Sequence, residues 1–186
     1  MTDPVGDRES DARDTVVLVQ DDGTVVGEAS KLAAHEAPGH LHLAFSVVLY
    51  RADGKTLLQR RALSKYHFPG VWANACCSHP GPGDDLVASA QARVREELGI
   101  ECSLVDVGSL IYRARCANSG LVEYELDHVL VGMVDSEPIP EPAEVAEVAW
   151  ADPETVLSEP PQDSAPWLVR VIELAERHRT VRATPS

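Results

Sequence analysis

Alternation of apolar and polar residues predicts that most of this chain forms β-strands. Turns at Asp21-Asp22-Gly23 and at Ala52-Asp53-Gly54-Lys55 connect the first four predicted strands into two hairpins. The predicted strands are residues 15–19, 25–26, 42–51, 56–61, 103–115, 121–134 and 145–150.

Apolar residues spaced three or four positions apart predict three helices. The clearest begins after Asp84 or Asp85, carries Ala90 and Val94 on one stripe, and ends at Gly99. The other two are a short helix at residues 153–157 and a final amphipathic helix at 164–181, with Trp167 on its apolar side. Because the helices interrupt a long series of strands, the order predicts an α/β (α+β) fold, with one mixed sheet between helices.

Composition changes along the chain suggest one domain with short extensions. Residues 1–14 are charged and nearly devoid of large apolar side chains, which predicts a disordered acidic leader. We expect a single domain at residues 15–182 and a tail at 183–186. Residues 69–83 are rich in proline and glycine, which predicts an irregular loop with only short strand pieces, and a loop of this length usually serves function.

Charge and cysteine content exclude several classes of protein. The chain has 30 Asp and Glu against 16 Lys and Arg, a net charge of −14, which argues against binding to nucleic acid or to an anionic membrane surface. It contains no apolar run long enough to span a membrane, and its polar start does not resemble a signal peptide. Its 4 cysteines do not form a disulfide framework, so we expect a reduced, cytoplasmic protein.

Three acidic residues form the first candidate site. Glu123, Glu125 and Asp127 alternate along one predicted strand, so their side chains share a face. Neighbouring carboxylates repel one another unless a cation or solvent lies over them. Two interpretations therefore remain open: a solvated strand edge or a cation site.

Histidines and a thiol form the second candidate site. His42 follows His35 by seven positions, and the predicted loop contains Cys77 and His79. Histidine and carboxylate side chains together suit zinc or manganese, although a lone histidine is more often structural. Spacing alone does not show which of these side chains meet.

A third candidate site lies at the end of the first long helix. Glu96 and Glu97 are either exposed charges or ligands for a Mg²⁺ ion that holds a diphosphate. Arg60 and Arg61 suit phosphate contacts or simple solvation. In so acidic a chain, a phosphorylated ligand requires a local cationic or metal-filled pocket.

Taken together, these segments resemble the type I isopentenyl-diphosphate delta-isomerases, a family of the Nudix superfamily. The matching stretches are KLAAHEAPGHLHLAFS (31–46), RRALSKYHFPGVWANACCSHP (60–80), REELGIE (95–101), GLVEYE (120–125) and PWL (166–168). The resemblance implies a Nudix-like fold and an isomerase of isoprenoid biosynthesis that interconverts isopentenyl and dimethylallyl diphosphate. It also implies a small prenyl diphosphate as the partner, bound by a monomer or a homodimer.

The resemblance assigns the catalytic roles to four residues. Cys77 and Glu125 are implied to flank the double bond on opposite faces, as acid and base of a 1,3-allylic proton shift. Tyr112 is implied to hydrogen-bond near the carboxylate, and Trp167 to shield the carbocation. Cys77 stands two residues before the histidine of the family pattern C-x-H-P, so we expect Cys76 to point into the core.

The resemblance also implies two kinds of metal and a diphosphate site. The implied ligands of one Mn²⁺ or Zn²⁺ ion are His35, His42, His79, Glu123 and Glu125. Glu97, with the backbone oxygen of Cys77, is implied to carry Mg²⁺ for the substrate diphosphate. The implied diphosphate-binding cations are Lys31, Arg61 and Lys65. His40 and His67 receive no role.

One departure separates this chain from the ordinary Nudix hydrolases. Setting the end of their motif GX5EX7REUXEEXGU on Glu97 and Gly99 places Ser78 at the first glycine and Ala92-Arg93 where Arg-Glu belongs. Since a pyrophosphohydrolase needs several carboxylates to hold its magnesium ions, this departure favours the isomerase. The alternative is a Nudix pyrophosphohydrolase that acts on a nucleoside or prenyl diphosphate.

Overall fold

A computed structural model of the chain describes residues 15–183, with side chains through Thr180. The predicted leader at residues 1–14 lies outside this range. The strands are β1 (Thr15–Val19), β2 (Val25–Ser30), β3 (His42–Tyr50), β4 (Thr56–Arg61), β5 (Trp72–Asn74), β6 (Cys76–Ser78), β7 (Val105–Arg115), β8 (Val122–Met133) and β9 (Val145–Ala151). The helices are α1 (Lys31–His35), α2 (Leu86–Leu98), α3 (Pro153–Ser158) and α4 (Leu168–Ala183). Of the helices in residues 15–183, none combines the length and the apolar character that crossing a membrane requires.

Strand β3 is the centre of a mixed sheet. Strand β8 runs parallel to it along one side, with Ser46 opposite Val129, and strands β1, β6 and β4 pair antiparallel along its other side. Strands β3 and β4 meet at Tyr50 and Thr56, beside the predicted turn, and β4 then pairs with β5 and β9. The predicted mixed sheet is therefore confirmed.

Side chains along β3 alternate between two hydrophobic cores. Val48 and Tyr50 pack in the core that contains residues of α4, whereas Val47 and Leu49 pack in the core that contains residues of α2. Successive residues of a strand point to opposite faces, so the two cores lie on opposite faces of the sheet. This confirms the prediction that helices cover the sheet.

Helix α2 has the boundaries that its sequence predicts. The side chain of Asp85 accepts a hydrogen bond from the backbone N–H of Ala88 at 2.8 Å, which caps the first turn. The helix ends at Gly99, whose backbone is left-handed with φ 65°. Its last turn buries Glu97, the residue implied to carry Mg²⁺.

Helix α4 begins at Leu168, later than the predicted start at residue 164. The preceding segment pairs with β5 instead: the backbone N–H of Ala165 donates to the carbonyl oxygen of Trp72 at 2.7 Å. Trp167 consequently precedes the helix instead of lying on its apolar side, and it is 2% exposed. The indole therefore lies at the end of a loop that hydrogen-bonds to β5, and the predicted start of the helix at residue 164 is wrong.

The connection from α1 to β3 lies close to the start of β8. Gly39 has φ +83°, and a Cβ atom built on it would lie 2.9 Å from Cγ1 of Val122. This close approach is open to glycine because it carries no side chain and adopts a positive φ readily. It brings the beginning of β3 beside the acidic part of β8, with His42 opposite Glu125.

Replacing Gly39 with alanine tests this close approach. Gly23 is a matched control, because it has the same φ of +83° but its built Cβ lies 3.6 Å from the nearest atom, in Leu126. Both substitutions strain the backbone by about 1–2 kcal/mol. We expect Gly39→Ala to lower the free energy of unfolding in urea by about 1–3 kcal/mol more than Gly23→Ala does, because it also creates a clash. Equal losses would contradict this account.

Candidate active site

An open cavity of about 610 Å³ gathers residues from widely separated parts of the chain. The predicted site residues that line it are Lys31, Arg61, Lys65, Cys77, His79, Glu97, Tyr112, Glu123, Glu125 and Trp167. The remaining lining residues, to which the sequence reading gave no role, are Gln59, Tyr66, His67, Ser78, Arg93 and Glu144. The last two predicted residues, His35 and His42, are fully buried and contact this group. The structure thus brings together all the residues to which the family resemblance gives a role, whereas the further candidates Arg60 and Glu96 lie outside the cavity with exposed side chains.

Five side chains converge at one end of the cavity. Their ligand atoms, one per residue, lie within 4.8 Å of one another. They come from α1, from β3, from the residue after β6 and from β8. The members are His35, His42, His79, Glu123 and Glu125. We call this group the His/Glu cluster.

Backbone carbonyls determine which nitrogen of two cluster histidines faces the centre. Nδ1 of His35 lies 2.6 Å from the carbonyl oxygen of Lys31, and Nδ1 of His42 lies 2.8 Å from that of His40. A carbonyl oxygen only accepts hydrogen bonds, so both Nδ1 atoms carry the proton. In each neutral ring, Nε2 is then left with an unshared electron pair, which is the form that binds metals.

The Nε2 atoms of the three cluster histidines lie close to one another or to the carboxylates of Glu123 and Glu125. Nε2 of His35 lies 2.8 Å from Oε2 of Glu123. Nε2 of His79 lies 3.1 Å from Nε2 of His42 and 3.0 Å from Oε1 of Glu125. Each of these contacts requires a proton or a metal ion between its two atoms. Three imidazoles and two carboxylates fit a divalent transition ion, so the residues present suit such a metal.

The carboxylates of β8 are buried. Glu123, Glu125 and Asp127 are 4%, 6% and 0% exposed, and β8 is not an edge strand, since it pairs with β3 on one side and with β7 on the other. The interpretation as a solvated strand edge is therefore wrong. Burial and the charge of Glu123 raise the pKa of Glu125, and burial with the charge of Glu125 raises the pKa of Asp127 well above its usual value.

The adjacent cysteines point in opposite directions. Cys77 lines the cavity and packs against the core of α4, whereas Cys76 is fully buried in the core of α2. The expectation that Cys76 points into the core is confirmed. Burial, together with the charge of Asp127, raises the pKa of Cys77 to about 12, so its sulfur carries a proton at neutral pH.

Two polar side chains hold the sulfur of Cys77. The amide nitrogen of Asn74 donates to the carbonyl oxygens of Val47 and Cys76, at 3.1 and 3.0 Å, so its Oδ1 faces Sγ at 3.2 Å. The hydroxyl of Ser46 lies 3.6 Å from the same sulfur. The thiol is thus held from the side of the sheet.

Two aromatic rings stand beside the cluster. The hydroxyl of Tyr112 donates a hydrogen bond to Oε2 of Glu125, its neighbour across β7 and β8. The rings of Tyr112 and Trp167 stack with centroids 5.6 Å apart, and Phe68 meets Trp167 edge-on at 5.2 Å. The polar groups of this wall are the hydroxyl of Tyr112, which contacts the carboxylate, and Nε1 of Trp167, which is buried and has no hydrogen-bond partner within residues 15–180.

Ion pairs link several charged residues that line the cavity. Lys65 and Arg93 both contact Glu144, and Arg93 also lies 2.5 Å from Glu97. Arg93 and Glu144 line the cavity, but they were not predicted from the sequence to belong to the site. Arg93 had one signal, since it replaces a glutamate of the hydrolase motif, whereas Glu144 had none.

Comparison with known proteins identifies the family. The NUDIX domain family matches residues 40–174. Isopentenyl-diphosphate Delta-isomerase of Nocardia farcinica is 46% identical over 164 residues, which cover 87% of this chain and 94% of that protein. The protein of the same name from Streptomyces griseus is 48% identical over 162 residues, which cover 87% of this chain and 73% of the relative. This chain belongs to the isopentenyl-diphosphate Delta-isomerase family.

Solved structures show the NUDIX fold that this family shares. A protein from Deinococcus radiodurans superposes with a TM-score of 0.70 at 19% identity, covering 86% of this chain and 98% of its own. A MutT protein from Methanosarcina mazei superposes with a TM-score of 0.62 at 18% identity, covering 75% and 95%. In this isomerase family member, the His/Glu cluster is a candidate site for a divalent metal ion.

The raised pKa of the buried Asp127 predicts how the free energy of unfolding depends on pH. Its folded pKa is raised, so the folded protein holds this proton more tightly than the unfolded chain does. Stability is therefore lost as pH rises above the unfolded value of about 4 and continues to fall until the folded pKa is reached. Asp127→Asn keeps the volume and removes the titration.

We compare the free energies of unfolding of metal-free Asp127→Asn and metal-free wild type. We expect the value for the variant to rise relative to the value for the wild type as pH increases from about 4 to 7. The difference grows by up to about 1.4 kcal/mol per pH unit. Urea unfolding over this pH series measures it. Parallel curves for the two proteins would show that Asp127 titrates normally.

Proposed function

We propose that this chain is an isomerase that interconverts isopentenyl diphosphate and dimethylallyl diphosphate. One observation carries the proposal: Cys77 and Glu125 line the same cavity. The stacked rings of Tyr112 and Trp167 and the cations Lys31, Arg61 and Lys65 line it as well. Its relatives are isopentenyl-diphosphate Delta-isomerases by name. The placement of the two groups gives that activity a route in this chain.

The reaction requires an acid and a base in a dry pocket. A proton adds to the terminal alkene carbon and leaves a tertiary carbocation, and a proton then leaves the carbon on the other side of the cation. One proton is gained and one is lost, so the substrate changes only the position of its double bond. Since water would trap the cation, the pocket must exclude it.

Cys77 and Glu125 supply the acid and the base in this proposal. The raised pKa of Cys77 keeps its thiol protonated, so the resting protein holds a transferable proton there. Tyr112 donates to Oε2 of Glu125 and fixes the orientation of this carboxylate. Because the reaction runs in both directions, each group acts as acid in one direction and as base in the other.

Trp167 stabilises the carbocation in this proposal. Its indole is stacked on Tyr112 and lines the cavity. An aromatic face attracts a cation by about 2 kcal/mol when water is excluded. An uncharged ring also offers no nucleophile that would capture the cation.

Two metal sites fit the charged side chains. The His/Glu cluster would hold Mn²⁺ or Zn²⁺, which as a Lewis acid would lower the proton affinity of Glu125. Glu97, with the backbone oxygen of Cys77, would hold Mg²⁺ on the substrate. The diphosphate-binding cations in this proposal are Lys31, Arg61 and Lys65.

The arrangement around Glu97 is unfavourable for pyrophosphate hydrolysis. Arg93 occupies the position at which the hydrolase motif carries a glutamate, and it pairs with Glu97 at 2.5 Å. A cation there repels the additional magnesium ions on which hydrolysis depends. This contact supports the isomerase over a Nudix pyrophosphohydrolase.

The setting of the reaction is also a prediction. We propose a cytoplasmic enzyme of isoprenoid biosynthesis, because all four cysteines are free thiols. We propose that it acts on a small prenyl diphosphate as a monomer or a homodimer, without nucleic acid or membrane.

The adjacent cysteines provide the sharpest test of the reaction. Proton NMR of isopentenyl diphosphate in D₂O, with the protein and Mg²⁺, should show dimethylallyl diphosphate that contains deuterium. We expect Cys77→Ala to lower the rate by at least about 10²–10⁴-fold, because it removes the acid or base on one face.

The matched control is Cys76→Ala, which removes a thiol from the opposite core. We expect it to retain most of the activity, because Cys76 does not line the cavity. Equal loss in both variants would contradict the assignment of Cys77. Release of phosphate or pyrophosphate instead of isomerisation would favour the hydrolase.

Substitutions of Trp167 test how the cation is stabilised. We expect Trp167→Leu to lower kcat by about 30-fold, the equivalent of about 2 kcal/mol, with a smaller change in KM. The kcat of Trp167→Phe should lie between those of the wild type and Trp167→Leu, since phenylalanine keeps an aromatic face. Trp150→Leu is the control, because Trp150 packs under Arg51 away from the cavity. A leucine variant with unchanged kcat would rule out this role.

A further inference from the structure

His67 contacts a member of the His/Glu cluster without belonging to it. The carboxylate of Glu123 is held at both oxygens: Oε2 faces Nε2 of His35 at 2.8 Å, and Oε1 contacts Nε2 of His67. Both His67 and Glu123 are buried. The ligand atoms of the cluster lie within 4.8 Å of one another without counting His67. His67 therefore contacts the oxygen of Glu123 that does not face His35, and it lies outside the group of five ligand atoms.

His67 carries its proton on Nε2, whereas His35 and His42 carry theirs on Nδ1. Nε2 of His67 contacts Oε1 of Glu123, and the oxygens of an ionised carboxylate only accept hydrogen bonds. Nε2 of His67 must therefore donate. Its Nδ1 is buried and has no hydrogen-bond partner within residues 15–180, so nothing there requires a proton on that nitrogen. His35 and His42 instead protonate Nδ1 and present Nε2 as a ligand atom.

The loop around His67 is fixed in place. The guanidinium of Arg61 donates to the carbonyl oxygens of His67 and Phe68, at 3.3 and 3.1 Å. The backbone N–H of Phe68 donates to the sulfur of Cys116 at 3.2 Å, and Phe68 has a positive φ of 46°. The imidazole is consequently held at a set position, as orienting a neighbouring group requires.

We propose that His67 is a positioning residue for the metal site: its Nε2–H occupies Oε1 of Glu123 and leaves Oε2 as the oxygen that binds the ion. The inference rests on the proposed function to the extent that the His/Glu cluster binds a divalent metal. Outer hydrogen-bond partners of metal ligands typically change metal affinity by about 10–100-fold when they are removed. This role makes His67 a donor to a ligand and not a ligand itself.

Two substitutions of similar size separate the hydrogen bond from packing. His67→Gln keeps an N–H group that reaches the carboxylate, whereas His67→Leu does not. The probe is Mn²⁺ titrated into the metal-free full chain without Mg²⁺ or substrate, with free Mn²⁺ measured by electron paramagnetic resonance. His128→Ala is the control, because His128 pairs with Asp106 at 2.7 Å outside the cavity.

We expect His67→Leu to weaken Mn²⁺ binding by about 10–100-fold, His67→Gln to regain most of the affinity, and His128→Ala to match the wild type. We also expect saturating Mn²⁺ to restore the isomerisation rate of the leucine variant. If this variant does not fold, His67→Ala takes its place.

Different results would contradict the role of His67 and the metal site itself. Unchanged Mn²⁺ affinity in the leucine variant, or equal weakening in the leucine and glutamine variants, would overturn the inference about His67 alone. A wild-type chain that does not bind Mn²⁺ would overturn both this inference and the metal site of the proposed function.

Discussion

The site depends on one constraint: several carboxylates and imidazoles are buried close together inside the protein. Three carboxylates of one strand inside the sheet are buried, and imidazole nitrogens lie 2.8 and 3.0 Å from two of them. Isolated buried charges of one sign are strongly unfavourable, and unpaired acceptors in contact repel. A divalent ion among the five ligand atoms removes both problems, so folding and metal binding support each other at this place.

The sheet explains why the acid and the base share a cavity. Strands β6 and β8 pair with opposite sides of β3, which brings Cys77 beside Ser46 and Glu125 beside His42. The polar residues at the beginning of β8 share their face with Val129 of the core under α4. The segment before α4 adds Trp167, so an apolar wall meets the metal end of the pocket. One strand pattern therefore positions polar and apolar parts of the same site.

Strand periodicity predicted much of this arrangement, and pairing between distant segments determined the rest. Alternation placed Glu123 and Glu125 on one face, but their burial depends on β3 and β7, which the local pattern does not show. The late start of α4 follows from the backbone contact between Ala165 and Trp72, again a distant partner. His67 lies in an irregular loop without periodicity, so its contact with Glu123 had no local signal. Family resemblance supplied the site residues that periodicity could not connect.

X-ray absorption at the metal K-edge, on the full chain loaded with one equivalent of Mn²⁺ or Zn²⁺ without substrate, tests the central claim most directly. We expect a shell of nitrogen and oxygen atoms with the multiple-scattering signal of histidine, and we expect His42→Ala to weaken this signal. A shell of water oxygens, a sulfur ligand or a spectrum unchanged by His42→Ala would contradict it.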